Sequence, residues 1–355
     1  MKKILTLALA FCAALCICSA QTQQSQTIEN GGTGPYKSVA VGDATLPTHM
    51  IYRPEDLKGY VATNGKIPVV VYANGACANS SLQMSRLLSE VASQGYLLIA
   101  IGPYEELTDE MFYSDWKRVV KGGIDTKPVV IMGNGEQVLP YTAEELAAQA
   151  AEREAARAAL EKEMKKASKK KAAPQPEPFR TYAKQLLEAI DWITDQNGNP
   201  ESEYYHLVDL DHIAAMGQSC GGAQVLAIAH DPRIKTCLIL NSGMGEISMS
   251  GASKQSLANL HMPVLYLNGG VADIAYNNAN GDYNNISSDI PVVKVCTLDG
   301  HHGTYYEKNA GRYAVAVRCW LNWQFKNSLS DSALFLNEDF EKALFSDWKF
   351  ERKNF

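Results

Sequence analysis

After residue 20 the sequence has no apolar run approaching the roughly 18 residues that a membrane-spanning helix needs. No cysteine pair has CxxC spacing, which leaves a cysteine zinc site without support. There is no HExxH, no Walker loop, and no GxGxxG placed between a strand and a helix, so no metal or nucleotide is implied. Positive charge is not in excess: 33 Lys and Arg stand against 39 Asp and Glu, a net charge of −6. No basic cluster marks the main body, which argues against a nucleic-acid partner. No internal repeat is present. The expectation from these absences is a protein that needs no cofactor.

What is present is ordinary globular composition, 46% hydrophobic and 20% charged over 355 residues. Met1-Lys2-Lys3, the apolar stretch Ile4–Ile17 and the small residues Cys18-Ser19-Ala20 before Gln21 read as an export signal over 1–20. The chain is therefore expected to be exported, periplasmic or secreted, with a retained N-terminal anchor as the alternative. Lipid attachment is not expected, because Cys12, Cys16 and Cys18 follow Phe, Leu and Ile rather than a small residue. Five cysteines remain beyond the signal: Cys77, Cys220, Cys237, Cys296 and Cys319. An oxidising compartment allows these two disulfides and one free thiol.

Residues 21–35 are polar and predict a mobile leader. From there strand-like and helix-like stretches alternate. Ile67–Ala73 (IPVVVYA) is a continuous β-branched run, the pattern of a strand buried on both faces. Further strands are predicted at His49–Arg53, Tyr96–Ile101, Ile213–Met216, Thr236–Leu240, Val264–Asn268 and Val292–Thr297. Helices are predicted at Ser81–Ser93, Phe179–Gln196, 221–230, Lys254–Leu260 and Arg312–Lys326. The alternation predicts an α/β fold with a doubly wound, mostly parallel sheet over 36–330. It is broken by an insertion at 105–178. Thr142-Ala143-Glu144-Glu145 forms a capping box there, ahead of a long charged helix that stops by Pro174. Residues 331–355 are too apolar for a loose tail and predict a helical extension packed on the body.

Gly217-Gln218-Ser219-Cys220-Gly221 is a GxSxG between a predicted strand and a predicted helix. Alone the pattern is weak; its strand-turn-helix setting makes it specific. Such an elbow strains the serine backbone and crowds the positions two residues either side, so Gly217 and Gly221 have a steric reason to be glycine. The competing reading is a plain strand-to-helix turn with a chance serine.

A nucleophilic serine needs a base, and the base needs an orienting carboxylate. Downstream of Ser219 lie His230, His261, His301 and His302. The first two sit near a helix end and before a strand, where they read as structural. His301 and His302 share a glycine-rich loop after the last core strand, and either can serve as base. For the acid, Asp273 lies in the loop after the penultimate strand, with Asp299 as runner-up and Asp282 and Asp289 weaker. Acyl transfer also needs two backbone N–H groups aimed at the developing oxyanion. Cys220, after the serine, supplies one. The loop Asn74-Gly75-Ala76-Cys77 supplies the other, from Ala76 or alternatively Cys77. If both serve one oxygen atom, Cys77 and Cys220 come within disulfide distance. They then form either a bridge or two buried thiols.

These residues resemble the α/β-hydrolase superfamily, near its secreted dienelactone-hydrolase, cutinase and PET-hydrolase-like groups. The resemblance runs from about Ile67 to Lys326. It is carried by the Asn-Gly-Ala-Cys loop at 74–77, Gly-Gln-Ser-Cys-Gly-Gly at 217–222, Asn-Ser-Gly at 241–243, Gly-Gly-Val-Ala-Asp-Ile-Ala-Tyr at 269–276 and Gly-His-His-Gly-Thr-Tyr at 300–305. It implies Ser219 as nucleophile, Asp273 as acid and His301 as base, acting on a small-molecule or polymeric carboxylic ester. A peptidase or acyltransferase on the same residues, or a non-catalytic binding protein of the same fold, are the alternatives. The insertion at 105–178 departs from the pattern.

Overall fold

The computed structural model describes residues 24–108, 180–271, 273–297, 305, 307–339, 341, 345 and 347–355. In chain order its strands are β1 (Ser25–Gln26), β2 (Ser38–Gly42), β3 (His49–Pro54), β4 (Ile67–Ala73), β5 (Leu97–Ile101), β6 (Val208–Gln218), β7 (Ile234–Leu240), β8 (Val264–Asn268), β9 (Val292–Thr297) and β10 (Trp348–Lys353). Its helices are α1 (Leu57–Asn64), α2 (Ser85–Ser93), α3 (Lys184–Gly198), α4 (Cys220–Ile228), α5 (Tyr276–Asn285), α6 (Gly311–Lys326) and α7 (Leu329–Leu336). The expected export segment at 1–20 lies outside the described residues, as does the expected insertion from residue 109 onward.

The strands form one mixed sheet in the order β1-β2-β3-β5-β4-β6-β7-β8-β9-β10. The run from β5 through β4, β6, β7 and β8 to β9 is parallel, and antiparallel strands close both edges. The apolar run in β4 explains its central place. Val69, Val71 and Ala73 enter the core on one face, while Val70 and Tyr72 enter it on the other. Each fully buried valine of this kind contributes about 1.5–3 kcal/mol. Helices α1, α3 and α4 pack on the first face through Leu57, Leu186, Ile190, Val225 and Leu226. Helices α2, α6 and α7 pack on the second through Leu87, Val91, Val317, Trp320 and Phe335.

This winding positions the site. From β4 the chain crosses by α2 on one face to β5; from β6 it crosses by α4 on the opposite face to β7. The neighbours β4 and β6 therefore flank a topological switch point, and α/β sheets bind ligands in the crevice beyond such strand ends. The loops carrying residues 74–77 and 219–220 both open there.

Two terminal expectations are corrected. Residues 24–35 are not a mobile leader: β1 pairs with β2, Ile28 is buried, and Thr33 bonds Glu90 through its N–H (2.7 Å) and hydroxyl (2.6 Å). Glu29 also pairs with Arg86 at 2.9 Å. The segment is polar, yet its side chains and backbone find partners on α2. The C-terminal extension does pack on the body, but it is only partly helical. After α7 it ends in β10, antiparallel to β9. Trp348 and Phe350 alternate with Lys349 and Glu351, a strand period rather than a helical one. Arg312 clamps this segment by a two-pronged pair with Asp347 (2.6 Å to Oδ1) and by lying over the Phe345 and Trp348 rings.

Among the described residues no helix is long and apolar enough to cross a membrane. Cys237, Cys296 and Cys319 are buried free thiols, so one disulfide forms among these five cysteines rather than two. Burial pushes the Cys296 thiol up to about 11 and Cys237 to about 12.

Candidate active site at the strand ends

β6 runs into α4 with a single residue between them, Ser219, held at φ 53° and ψ −117°. A non-glycine residue there costs about 1–3 kcal/mol and persists only where its surroundings fix it. They do: Ser219 N–H donates to Leu240 O at 2.8 Å, and Ser242 Oγ donates to Ser219 O at 2.6 Å. The flanking glycines are sterically required. A Cβ at Gly217 would lie 2.3 Å from Gly221 O, and one at Gly221 would lie 2.0 Å from Ala73 O. Gly222 is a third such position, where a Cβ would meet Ser242 Cβ at 2.4 Å. The side chain of Ser219 remains partly exposed at the amino end of α4.

The loop after β4 lies against this turn. A Cβ on Gly75 would sit 3.7 Å from Ser219 Cβ. Ala76 and Cys77 both have left-handed backbones, φ 54° and 51°. Cys77 is disulfide-bonded to Cys220 with a Cα separation of 5.2 Å. Thus the two segments expected to supply oxyanion donors are covalently joined. Ser250 Oγ lies 3.1 Å from Cys77 Sγ and 3.0 Å from Cys220 Sγ, capping the bridge. Asn74 anchors the start of the loop by donating to Ile101 O at 2.6 Å and Ala78 O at 3.0 Å.

Asp273 is buried in the loop after β8, at the same end of the sheet. Its Oδ2 accepts from Asn241 Nδ2 (2.6 Å) and Gly269 N–H (2.9 Å), and its Oδ1 accepts from Ala275 N–H (2.9 Å). Charge-assisted bonds of this kind fix a carboxylate's orientation firmly. Val271 and Ile274, flanking it, are 72% exposed. Asn241 is a site residue whose role the sequence did not reveal. Its signal was the Asn-Ser-Gly run directly after β7.

The lesser candidates separate clearly. Asp282 is fully buried on α5 and accepts from Met244 N–H (2.7 Å), Gly245 N–H (2.8 Å) and Tyr266 OH (3.1 Å). Burial raises its pKa, and it serves to pin the loop after β7. Asp289 is on the surface, bonded to Ser287. His230 is exposed in a turn, and His261 is exposed in the connection before β8. Asp299, His301 and His302 lie outside the described residues. The chain on either side of them is placed: β9 ends at buried Thr297, and Tyr305 is buried with its hydroxyl donating to Leu267 O at 3.3 Å. Among the described residues no group of three or more His, Cys, Asp or Glu side chains is arranged to hold a metal ion.

The arrangement brings a strained, reachable serine, a helix N-terminus, a left-handed backbone loop and a tightly held carboxylate to one end of the parallel strands. The sequence matches no protein-family model and no curated protein, so the chemistry of the site has to be argued from these residues.

Proposed function

We propose that the protein is an exported serine hydrolase of the α/β-hydrolase type that cleaves carboxylic esters. The observation that carries this reading is the backbone of Ser219, forced into the left-handed region between a parallel strand and a helix and bridged through Cys220 to the loop at 74–77. Ser219 Oγ attacks the acyl carbon while His301 takes its proton, and Asp273 holds the imidazolium that forms. The N–H groups of Ala76 and Cys220 stabilise the tetrahedral oxyanion. His301 then protonates the departing alkoxide. Water, deprotonated by the same histidine, releases the acid from the acyl-serine. The exposed Val271 and Ile274 beside Asp273 favour an ester that presents apolar surface to these strand ends.

A panel of p-nitrophenyl esters, acetylated sugars and peptide amides tests the reaction class. Turnover of esters, lost in Ser219→Ala, supports the reading. Turnover of amides alone would move it to a peptidase. A folded protein inert to every substrate and to active-serine probes would leave a binding protein of the same fold.

A further inference from the structure

The Cys77–Cys220 disulfide fixes how far the loop at 74–77 stands from α4, but it does not fix which way the peptides of that loop face. Ala76 and Cys77 are both non-glycine residues at positive φ, 54° and 51°. A pair of such residues is held only where something beyond local preference holds it. The disulfide itself does not hold the Cys77 carbonyl: Ala78 N–H, on the far side of that peptide, donates to Gly75 O at 3.0 Å, and the carbonyl side needs its own partner.

A second link between the same two elements supplies that partner on the carbonyl side. Gln224 stands four residues after Cys220 on α4, hence on the same helix face one turn further along. Its side chain is fully buried. Nε2 donates to Thr181 O at 2.8 Å and lies 3.1 Å from Thr181 Oγ1. A carbonyl oxygen only accepts, so this contact fixes the orientation of the amide. Thr181 in turn donates twice to Cys77 O, from its N–H at 3.0 Å and its hydroxyl at 3.2 Å. The adjoining Arg180 forms a bridge with Ala78. The path runs from the helix behind Ser219, through Gln224 and Thr181, to the carbonyl of Cys77, parallel to the disulfide.

We propose that Gln224 and Thr181 are positioning residues for the oxyanion-stabilising loop: they hold the Cys77 peptide plane, and through it the strained Ala76–Cys77 backbone, in the orientation that aims its N–H donors beside Ser219. The proposal rests on the reading of Ser219 as the nucleophile. Its chemical content is that the disulfide sets distance and this polar path sets direction. Neither side chain touches the reacting atoms, so substrate binding is spared while stabilisation of the oxyanion is not.

The test compares wild type with Gln224→Met, which keeps the side-chain volume, and Thr181→Val, which keeps the backbone N–H. Thr181→Ser, which keeps the hydroxyl, is the rescue. Full loss of one oxyanion donor costs about 10²–10³ in kcat, and a misaimed donor costs less, about tenfold. The expected result with p-nitrophenyl acetate is therefore a kcat lower by about tenfold in Gln224→Met, with KM within about twofold. Thr181→Val should fall in the same direction and Thr181→Ser should recover. Amide hydrogen exchange across residues 75–78 should quicken in both impaired variants. Unchanged kcat and unchanged exchange would overturn the proposal, as would a rise in KM alone. If wild type neither hydrolyses the ester nor labels with an active-serine probe, the nucleophile reading is what fails. The exchange measurement then still decides whether the pair holds the loop. A Gln224→Met protein too unstable to assay leaves Thr181→Val and Thr181→Ser to decide it.

Discussion

Cys77 and Cys220 are separated by 143 residues of sequence and joined by a disulfide, with their Cα atoms 5.2 Å apart. The bond ties the loop after β4 to the first residue of α4, so the two strand ends that flank the switch point cannot drift apart. The chain-entropy model puts the stabilisation from closing so long a loop at about 5 kcal/mol, and measured values run to about 2–5 kcal/mol. Replacing both cysteines by serine should lower unfolding free energy within that range in urea denaturation, and should lower kcat as well. A variant as stable and as active as wild type would show that the bridge is incidental.

Gly221→Ala introduces a Cβ 2.0 Å from Ala73 O, a backbone atom that cannot step aside without moving β4. Overpacking against fixed structure costs about 1–3 kcal/mol, occasionally more. The expected outcome is a lower midpoint in thermal unfolding together with loss of the proposed esterase activity. The same change at Gly198, where a Cβ would meet nothing within 4 Å, should be neutral or slightly stabilising.

Asn241 Nδ2 donates to Asp273 Oδ2 at 2.6 Å. Hydrogen bonds to charged groups are worth about 1.5–3 kcal/mol, equivalent to about a ten- to hundredfold rate effect if the bond is spent on orienting the acid. Asn241→Ala should reduce kcat/KM within that range. A rate equal to wild type would detach Asn241 from the reaction.

His49 carries the clearest pH dependence. Desolvation by burial depresses its pKa from 6.5 to about 4, outweighing its bond to the Gln185 carbonyl. The neutral ring is satisfied on both sides, Nε2–H donating to Gln185 O at 3.0 Å and Nδ1 accepting from Thr48 Oγ1 at 3.0 Å. Because the folded pKa lies below the unfolded one, the unfolded state binds more protons between these values. Stability is therefore full above about pH 6.5 and falls as pH drops toward 4, by about 3 kcal/mol at most. Urea titrations at pH 7 and pH 4.5 measure the difference. His49→Gln should flatten the part of the slope that His49 contributes, and an unaltered slope would contradict the assignment.

The sheet was readable where a physical pattern is strong. The β-branched run of β4 and the strand, turn and helix around Ser219 both stand out, because burial on two faces and a crowded elbow constrain residue type tightly. Helix α5 did not stand out. Its sequence, Tyr276–Asn285, is rich in asparagine and poor in helix formers, and tertiary bonds to Asp282 help hold it. Residues 24–35 were invisible for a related reason: their anchors are polar partners on α2, which leave no hydrophobic period. The Cys77–Cys220 pairing could be inferred only by assuming a shared oxyanion, since no spacing rule links residues so far apart. The Gln224–Thr181–Cys77 path was beyond reach, as it joins three distant segments through backbone carbonyls.

Labelling with a fluorophosphonate probe decides whether Ser219 is an activated nucleophile. The folded wild-type protein should form a covalent adduct that peptide mapping locates on Ser219, and Ser219→Ala should form none. Absence of labelling on folded wild type, or a label that persists in Ser219→Ala, would contradict it.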